Sequence, residues 1–270
     1  MKKKRKHIKR ETLISYLMIA PEMILMLIFI FIPIVYAFYI SLYDWNALGT
    51  KTFVGIANYL RMIKDSTFKN SLLVTGKYAV IYVLAVYVLS LAAAVFVNSI
   101  KGNKRQQMCR IAIYLPNTVS TIVAATLWTF LFNSRNGYIN KILEELGIGR
   151  QLFLGSRTQA LVCVAIVGIW IVFGYNMIIF LSALKDVPSE YYEAAKIDGA
   201  NAVQRFFRIT LPSIKGTTIF VLITSLVASF QAFDQVRVMT SGGPGKTTQV
   251  TVYYISVSYT HLTLPTSDLV

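Results

Sequence analysis

Five stretches of this chain lack any charged side chain over lengths close to what a membrane-spanning helix requires. They measure 21, 23, 24, 27 and 18 residues between consecutive charged residues. A helix needs about 20 mostly apolar residues to cross the hydrocarbon core of a bilayer, and a charge at its centre costs about 2.5–3.5 kcal/mol. The stretches therefore predict five membrane spans, at 13–43, 71–98, 111–133, 158–184 and 215–234.

The composition supports a membrane protein and argues against other classes. Charged residues make up 14% of the chain and apolar residues 55%, whereas a soluble domain carries about 25% charged residues. Such hydrophobicity excludes disorder and disfavours an ordinary cytosolic enzyme, because a soluble fold of this size could not bury so much apolar surface. The formal net charge of +15 would suit nucleic-acid binding, but the hydropathy argues against it, so no nucleic-acid partner is expected.

The distribution of Lys and Arg predicts the orientation of these spans. Of the 27 basic residues, 16 fall in the segments 1–10, 101–110 and 185–215, which share one side of the membrane if the chain crosses at each span. Because cytoplasmic loops carry the excess of Lys and Arg, the N-terminus is predicted to be cytoplasmic. The first apolar stretch is longer than that of a signal peptide, so we interpret it as an uncleaved span with a bend at Pro33.

The residue types that carry enzymatic or metal chemistry are sparse and isolated. Cys109 and Cys163 are the only cysteines, and His7 and His261 the only histidines. These spacings predict neither a disulfide framework nor a metal site, and two terminal histidines cannot assemble a Ser-His-Asp arrangement. We expect no catalytic activity, no metal and no bound cofactor in this chain.

One segment imitates a nucleotide-binding loop. Gly245-Lys246-Thr247 supplies the end of that motif, but Thr240 stands where its first glycine should be. A phosphate-binding loop also opens a helix, whereas a segment rich in β-branched residues follows here, and the predicted topology puts this segment outside the cell. We therefore interpret the Gly-Gly-Pro run before it as a sharp turn.

The longest predicted cytoplasmic connection, 185–215, carries the pattern of two short helices. Asp186 can cap the first helix, Pro188 suits its first turn, and Gly199 can end it in a left-handed conformation. The second helix is predicted at about Ala202–Arg208, with an aromatic face. Two such helices can dock into a groove on another protein or lie as an amphipathic hairpin on lipid headgroups, and these residues alone leave both possibilities open.

The same connection carries a family motif. Glu193-Ala194-Ala195, three residues, Gly199, nine residues and then Ile209-Thr-Leu211-Pro212 resembles the EAA…G…I-LP pattern of the inner-membrane permease subunits of ATP-binding-cassette importers, in every position and both spacings. Further stretches are similar to the carbohydrate-type branch of that family, which includes the maltose and glycerol-3-phosphate permeases. They are Phe53–Tyr59, Tyr114–Asn117, Tyr191–Ala200 and Phe233–Pro244, and the resemblance covers about residues 12–256.

This resemblance implies an all-α, polytopic membrane helix bundle with cytoplasmic coupling helices, in the inner or plasma membrane of a prokaryote. It implies a non-catalytic permease subunit, with a second permease subunit, an ATPase dimer and an extracytoplasmic solute-binding protein as partners. ATP and Mg²⁺ would belong to the ATPase. Sugars or oligosaccharides would be the solute.

The resemblance also implies roles for individual residues. The loop would be the coupling helix seated in a cleft of the ATPase, where Glu193 pairs with a surface group, Gly199 makes the turn, and Leu211 with Pro212 relays motion into the fifth span. The ATPase-coupling residues expected on this basis are Glu193, Ala194, Ala195, Gly199, Ile209, Leu211 and Pro212.

A substrate path is expected along the fourth and fifth spans, because sugar recognition uses aromatic faces and uncharged hydrogen-bonding groups. The alternative for each of these side chains is ordinary helix packing, and Gly168 and Gly174 are expected to allow close helix contact. The candidates are Trp170, Tyr175, Asn176, Ser225, Ser229 and Gln231.

Three regions are expected along the chain. Residues 1–12 form a basic cytoplasmic N-terminus, 13–256 a transmembrane permease domain with the coupling loop 185–215, and 257–270 an atypical polar tail. The resemblance implies a sixth span where this tail stands, so we expect a truncation or a sequence error there. Two other functions remain alternatives, an ion-coupled secondary transporter and a membrane subunit that transports nothing.

Overall fold

The computed structural model of this chain describes residues 2–45 and 50–263, with side chains from 12 to 258 outside that gap. The secondary structure of the described residues consists of helices, joined by turns and loops, and one short hairpin, which confirms the predicted all-α fold. Among the described residues two compact units form, the first from 2–45, 50–65 and 261–263 and the second from Ser66–Thr260.

In the first unit, a long apolar helix is followed by a small hairpin. The helix comprises α1 (Lys2–Met26), a π-helical turn (Leu27–Phe31) and α2 (Ile32–Ser41). The π turn ends two residues before Pro33, because proline has no N–H to give and its ring clashes with the carbonyl four residues earlier. The 30 residues Thr12–Ser41 are long and apolar enough to cross a membrane as one helix.

The stretch Phe53–Tyr59, one of those similar to the permease family, lies in the hairpin and the helix that follows it. β1 (Tyr43–Asp44) pairs antiparallel with β2 (Thr52–Phe53), and α3 (Ala57–Lys64) follows. Asn58 Nδ2 donates to the carbonyl oxygens of Ser41 and Tyr43 at 2.9 Å each, and the hydroxyls of Tyr59 and Ser41 lie 2.7 Å apart. The stretch Phe53–Tyr59 therefore fixes the end of the first long helix.

The core of the second unit lies between two long helices, α4 (Ser66–Ser99) and α8 (Ala160–Lys185). Gly168 allows this approach, since a Cβ there would meet the Tyr78 hydroxyl at 2.8 Å. Gly174 lies against backbone, where a Cβ would be 2.1 Å from the carbonyl oxygen of Ile113. The prediction that these glycines permit close helix contact is confirmed.

The predicted third span, 111–133, is not one straight helix. The structure has α5 (Asn103–Tyr114), a 3₁₀ turn (Leu115–Thr118) and α6 (Thr121–Leu131), with a bend of 96° between the two parts. Pro116 is the second residue of the 3₁₀ turn, and the two residues after the turn, Val119 and Ser120, have extended ψ angles of 134° and 137°. The missing N–H of proline and this extended pair break the helical hydrogen-bonding.

The predicted fifth span, 215–234, ends earlier than expected. α12 (Lys215–Phe230) has 16 residues, about 24 Å at 1.5 Å per residue, and the helical segment Ala202–Ser213 precedes it at an angle of 70°. Three helices in the described part of the chain are therefore long and apolar enough to cross a membrane, or up to five if each bent pair counts as one span. Five is the upper count.

The remaining helices are short or lie near the C-terminus. They are α7 (Tyr138–Glu145), a 3₁₀ turn (Phe153–Gly155), α9 (Ser189–Ile197), α10 (Ala202–Arg205), a π turn (Phe206–Thr210), α11 (Leu211–Ser213), α13 (Asp234–Met239) and α14 (Thr251–Thr263).

The loop that imitates a nucleotide-binding motif forms tight turns, as expected for the Gly-Gly-Pro run. Gly242 and Gly245 have φ of +80° and +58°. Thr248 Oγ1 donates to the Gly243 carbonyl at 2.8 Å, and Lys246 Nζ donates to Thr67 Oγ1 at 3.1 Å. Its polar groups therefore bond within the protein.

The segment after this loop differs from expectation. It is helical from Thr251 despite its β-branched residues, so its composition did not exclude a helix. The same helix, α14, extends into the predicted polar tail as far as Thr263. The rest of that tail, 264–270, lies outside the described residues.

Candidate functional site

The connection between α8 and α12 folds as a chain of short helices with defined ends. The first of them, α9, begins after Pro188, which has the extended backbone (φ −58°, ψ 133°) of a residue that precedes a helix. The sequence predicted that Asp186 caps α9, but it does not. Its N–H donates to the Ser182 carbonyl at 3.2 Å and its backbone is helical, because Asp186 is the C-cap of α8, directly after the last helical residue, Lys185.

α9 ends in a Schellman motif centred on Gly199. The Gly199 N–H donates to the Lys196 carbonyl at 3.1 Å and the Ala200 N–H to the Ala195 carbonyl at 2.8 Å. Gly199 has φ of +76°, which confirms the predicted left-handed conformation, and a Cβ there would have nothing within 4 Å. The position needs glycine because of its backbone angle rather than because of crowding.

α10 starts in a capping box that was not predicted. The Gln204 N–H donates to Asn201 Oδ1 at 2.8 Å, and the Asn201 N–H donates to Gln204 Oε1 at 2.9 Å. Arg205 Nη1 also donates to the Ala200 carbonyl at 3.2 Å. The signal was present, since an Asn followed three residues later by Gln matches the capping-box spacing. With the Schellman motif, it holds α9 and α10 in a fixed relation.

The structure brings together some of the predicted coupling residues and separates others. Ala195, Gly199 and Ile209 line one cavity of about 400 Å³ in the turn between α9 and the π turn. Glu193 and Ala194 lie outside that cavity and are exposed. The small side chains Ala194 and Ala195 therefore belong to two different surfaces of α9.

Leu211 and Pro212 occupy the junction with α12. Pro212 is exposed, whereas Leu211 is half-buried and packs against a core cluster that includes Leu91 of α4 and Leu184 of α8. Ile214, which the sequence did not single out, is buried at the centre of this junction. These two residues thereby pack the loop into the core between both long helices.

A hydrogen bond joins α9 directly to the π turn. The hydroxyls of Tyr192 and Thr210 lie 2.9 Å apart, and Thr210 is buried. Sequence reasoning missed this pair, because no pattern in a single sequence connects two residues 18 positions apart. The bond makes α9 and the segment that enters α12 one mechanical unit.

Several large apolar side chains of the loop face outward. Ile197 is 87% exposed, and Tyr191, Val203 and Phe207 are also exposed. Of the predicted aromatic face, only Phe206 turns partly inward, toward the cluster around Leu184. An exposed apolar surface on a structurally fixed loop is typical of a surface that another molecule covers.

The predicted substrate-path residues have different environments. Asn176, Ser225 and Ser229 are buried, Tyr175 and Gln231 are exposed, and Trp170 is half-buried.

The hydrogen bonds of these residues are mostly local. Asn176 Nδ2 donates to the Val172 carbonyl at 3.4 Å, and Ser229 Oγ donates to the Leu226 carbonyl at 2.6 Å. The Trp170 ring packs edge-on against Trp128, with centroids 5.8 Å apart. These contacts are those of helix packing, the alternative considered from the sequence.

A buried polar contact elsewhere in the second unit was not predicted. Gln235 Nε2 donates to the Tyr78 hydroxyl at 3.0 Å, and both side chains are buried. This hydrogen bond connects α13 to α4, and its two residues are 157 positions apart in the sequence. No pattern of neighbouring residues could therefore predict it. Among the residues that the structure describes, no group of three or more His, Cys, Asp or Glu side chains could hold a metal ion.

The chain is similar in sequence to a known protein family and to several transport permeases. Residues 87–260 match the family described as binding-protein-dependent transport system inner membrane component. The chain is 30% identical over 246 residues to the probable ABC transporter permease protein YurN of Bacillus subtilis (strain 168), covering 90% of this chain and 84% of that relative. It is 35% identical over 241 residues to the trehalose/maltose transport system permease protein MalF of Thermococcus litoralis, covering 88% and 81%.

One further permease relative and one solved structure are also similar to this chain. The chain is 34% identical over 245 residues to the sn-glycerol-3-phosphate transport system permease protein UgpA of Agrobacterium fabrum, covering 90% of this chain and 83% of that relative. Its fold is similar to a chain of a bacterial alginate ABC transporter, crystallised with an alginate pentasaccharide-bound periplasmic protein. The TM-score is 0.79 at 22% identity, covering 96% and 88% of the two chains. At that identity the structural likeness concerns the fold alone.

Proposed function

Because the chain belongs to the family of binding-protein-dependent transport system inner membrane components, we propose that it transports sugars or oligosaccharides as one permease subunit of an ATP-driven importer. The permease family predicted from the coupling-loop residues is confirmed. The chain is a multi-pass membrane protein of that family, and its named relatives are transport permeases rather than enzymes.

The observation that carries the coupling role is the fixed, outward-facing helix α9. The Schellman motif at Gly199 sets its C-terminal end and the bond from Tyr192 to Thr210 joins it to the π turn, while Glu193, Ala194 and Ile197 remain exposed. A rigid helix with small and apolar exposed side chains suits a cleft on a second protein. In this proposal the second protein is a separate ATPase, which holds ATP and Mg²⁺.

ATP-driven closure of the ATPase dimer would move α9 as a rigid lever. The motion would pass through Thr210 and Leu211 to Ile214, which is buried against the ends of α4 and α8. The spans would then rock between inward-open and outward-open arrangements. Such a transition requires that the two states differ in the contacts made at the loop.

The partners and the orientation follow from the same proposal. A second permease subunit completes the pore, an extracytoplasmic solute-binding protein delivers the solute, and the N-terminus and loop 185–215 lie in the cytoplasm. The excess of Lys and Arg in those segments supports this orientation.

The solute class is proposed from relatives whose names concern trehalose and maltose, starch degradation products and sn-glycerol-3-phosphate. Trp170, Tyr175, Asn176, Ser225, Ser229 and Gln231 remain candidates for the solute path. Replacing Asn176 or Gln231 by Leu is expected to change uptake rate or specificity without weakening assembly.

Copurification tests the proposal against its alternatives. An ATPase subunit should copurify with the wild type, but not with Ala194→Trp, because the added ring fills the exposed docking surface without disturbing a core. Ser189→Trp, in the first turn of the same helix and also exposed, is the matched control and should retain the ATPase. Equal recovery with all three chains would contradict docking through this surface. Uptake driven by a proton gradient through this chain alone would favour a secondary carrier.

A further inference from the structure

A cavity of about 820 Å³ lies between the C-terminal end of α4 and the coupling loop. It shares Arg205 with the smaller cavity lined by Ala195 and Gly199, and its other lining residues are different. Its volume falls in the range of ligand-binding cavities, about 300–1,000 Å³. The coupling proposal uses the bond between Tyr192 and Thr210 in its wall but assigns the cavity no ligand.

Three basic side chains from three elements line this cavity. Lys101 follows α4, Lys196 lies on α9, and Arg205 lies on α10. No acidic side chain is among the lining residues. The ion pairs found among the described side chains join other partners, Arg61 with Asp44 and Arg150 with Glu144. The cavity is therefore complementary to an anion.

The neutral polar groups of the cavity leave recognition of that anion mainly to the basic residues. Ser99 Oγ donates to the Phe96 carbonyl at 2.7 Å, and the Tyr192 and Thr210 hydroxyls bond each other. Arg205 Nη1 donates to the Ala200 carbonyl, so its other guanidinium N–H groups, the two Lys ammonium groups and the Asn98 amide supply the remaining donors. Phosphate oxygens are the acceptors for which such charged donors are best suited.

The apolar part of the wall indicates where that phosphate comes from. Val95, Leu184 and Phe206 line the same cavity. Lys101 also marks the end of a stretch of 23 residues without charge, so the cavity lies at the boundary between the hydrocarbon core and the headgroup region. A free phosphate ion gains nothing from an apolar wall, whereas a phospholipid places its glycerol and acyl chains there. Basic pockets between spans on the cytoplasmic side bind anionic headgroups in this way.

We propose that this cavity holds the phosphate of an anionic phospholipid of the cytoplasmic leaflet, bridging Lys101 at the end of α4 to Lys196 and Arg205 of the coupling loop. The cytoplasmic placement rests on the function proposed above. The lipid ties the coupling helices to the membrane boundary. Coupling between the ATPase and the spans consequently depends on the fraction of anionic lipid.

Native mass spectrometry of the purified full chain tests this binding directly. The chain is titrated with phosphatidylglycerol, with phosphatidylcholine of the same acyl chains, and with inorganic phosphate. We expect phosphatidylglycerol to bind the wild type and to resist competition by the other two. The double variant Lys101→Gln, Lys196→Gln should bind it about 25-fold more weakly, since each basic residue near an anionic lipid contributes roughly a fivefold factor.

The matched control is Lys104→Gln, Arg105→Gln, which removes two charges from the adjacent surface without touching the cavity, and it should bind like the wild type. Equal binding by all three chains overturns the proposal, and so does equal affinity for phosphatidylcholine in the wild type, a result that needs no variant. Displacement of the lipid by inorganic phosphate would assign the site to a soluble anion instead. Because the measured quantity is bound lipid, this test can fail while copurification of the ATPase succeeds, and the reverse.

Discussion

Gly199 determines how the chain leaves the coupling helix α9. Its φ of +76° lies in the left-handed region, where residues with a Cβ carry a cost of roughly 1–2 kcal/mol. The space around it is open, so the cost of a substitution there is conformational. This backbone angle, together with the capping box at Asn201, sets the direction of α10 relative to α9.

Substitutions at Gly199 should therefore have graded effects. Gly199→Pro is expected to abolish uptake while membrane insertion persists, because proline fixes φ near −65°. Gly199→Ala should retain part of the uptake and lower stability by about 1 kcal/mol. Gly149→Ala is the control, since that glycine also has open space around it but no positive φ. Uptake rates and insertion into membranes are measured together; full uptake by Gly199→Pro would contradict the role of the turn.

At single residues, the sequence predicts features that depend only on neighbouring positions in the chain. The left-handed glycine followed from its residue type and position, and the capping box from Asn201 to Gln204 could have been found by its spacing. The bond between Tyr192 and Thr210 could not, because it depends on how the loop folds back. Asp186 was assigned to the wrong helix, because α8 continues one turn past Ser182 and the sequence gives little indication of where it stops.

At the scale of elements, the mechanical unit formed by α9 and the π turn depends on one side-chain hydrogen bond. Tyr192→Phe removes the hydroxyl that faces Thr210, at a cost of about 1 kcal/mol. We expect the variant to fold and to hydrolyse ATP with its partner while transporting less solute per ATP. Tyr191→Phe is the control, because Tyr191 is the adjacent, exposed tyrosine. An unchanged ratio of transport to ATP hydrolysis in Tyr192→Phe would argue against a rigid lever.

The packing of α8 on the α5 segment depends on Gly174 in a different way. A Cβ at this position would lie 2.1 Å from the Ile113 carbonyl oxygen and 2.8 Å from its carbonyl carbon, so backbone must shift. Gly174→Ala is expected to destabilise the chain by about 1–3 kcal/mol, the range for overpacked cores. The measurement is thermal unfolding in detergent. Gly76→Ala, in α4 with nothing within 4 Å of its added Cβ, should not destabilise, and equal losses in both variants would refute the packing argument.

Hydropathy predicts where the apolar segments lie but not where their helices bend or end. Gaps between charged residues located all five apolar segments, but they carry no information about direction, so the bends of 96° and 70° were not predicted. Pro116 was visible within the predicted third span, yet proline can kink a membrane helix without breaking it. The extended pair Val119 and Ser120 completes the break, and no residue preference of these two required it.

At the scale of the whole molecule, apolar composition and one short motif were sufficient for the fold class and the family, because both depend on local sequence. The helical fold and the permease family are confirmed. The solute path stays a prediction, since its candidate residues have packing contacts that explain them equally well. The division of the chain at 12 and 256 also remains a prediction.

The central claim is that α9 seats on an ATPase rather than on lipid headgroups, and one crosslinking measurement separates these two possibilities. A photoreactive amino acid is placed at Ile197, which is 87% exposed on this helix, and the chain is coexpressed with its partner subunits. After illumination, we expect the crosslinked product to contain the ATPase. A probe at the exposed Tyr138, on α7, should give no such product. Crosslinks from Ile197 to lipid alone, in complexes that hydrolyse ATP, would contradict the claim.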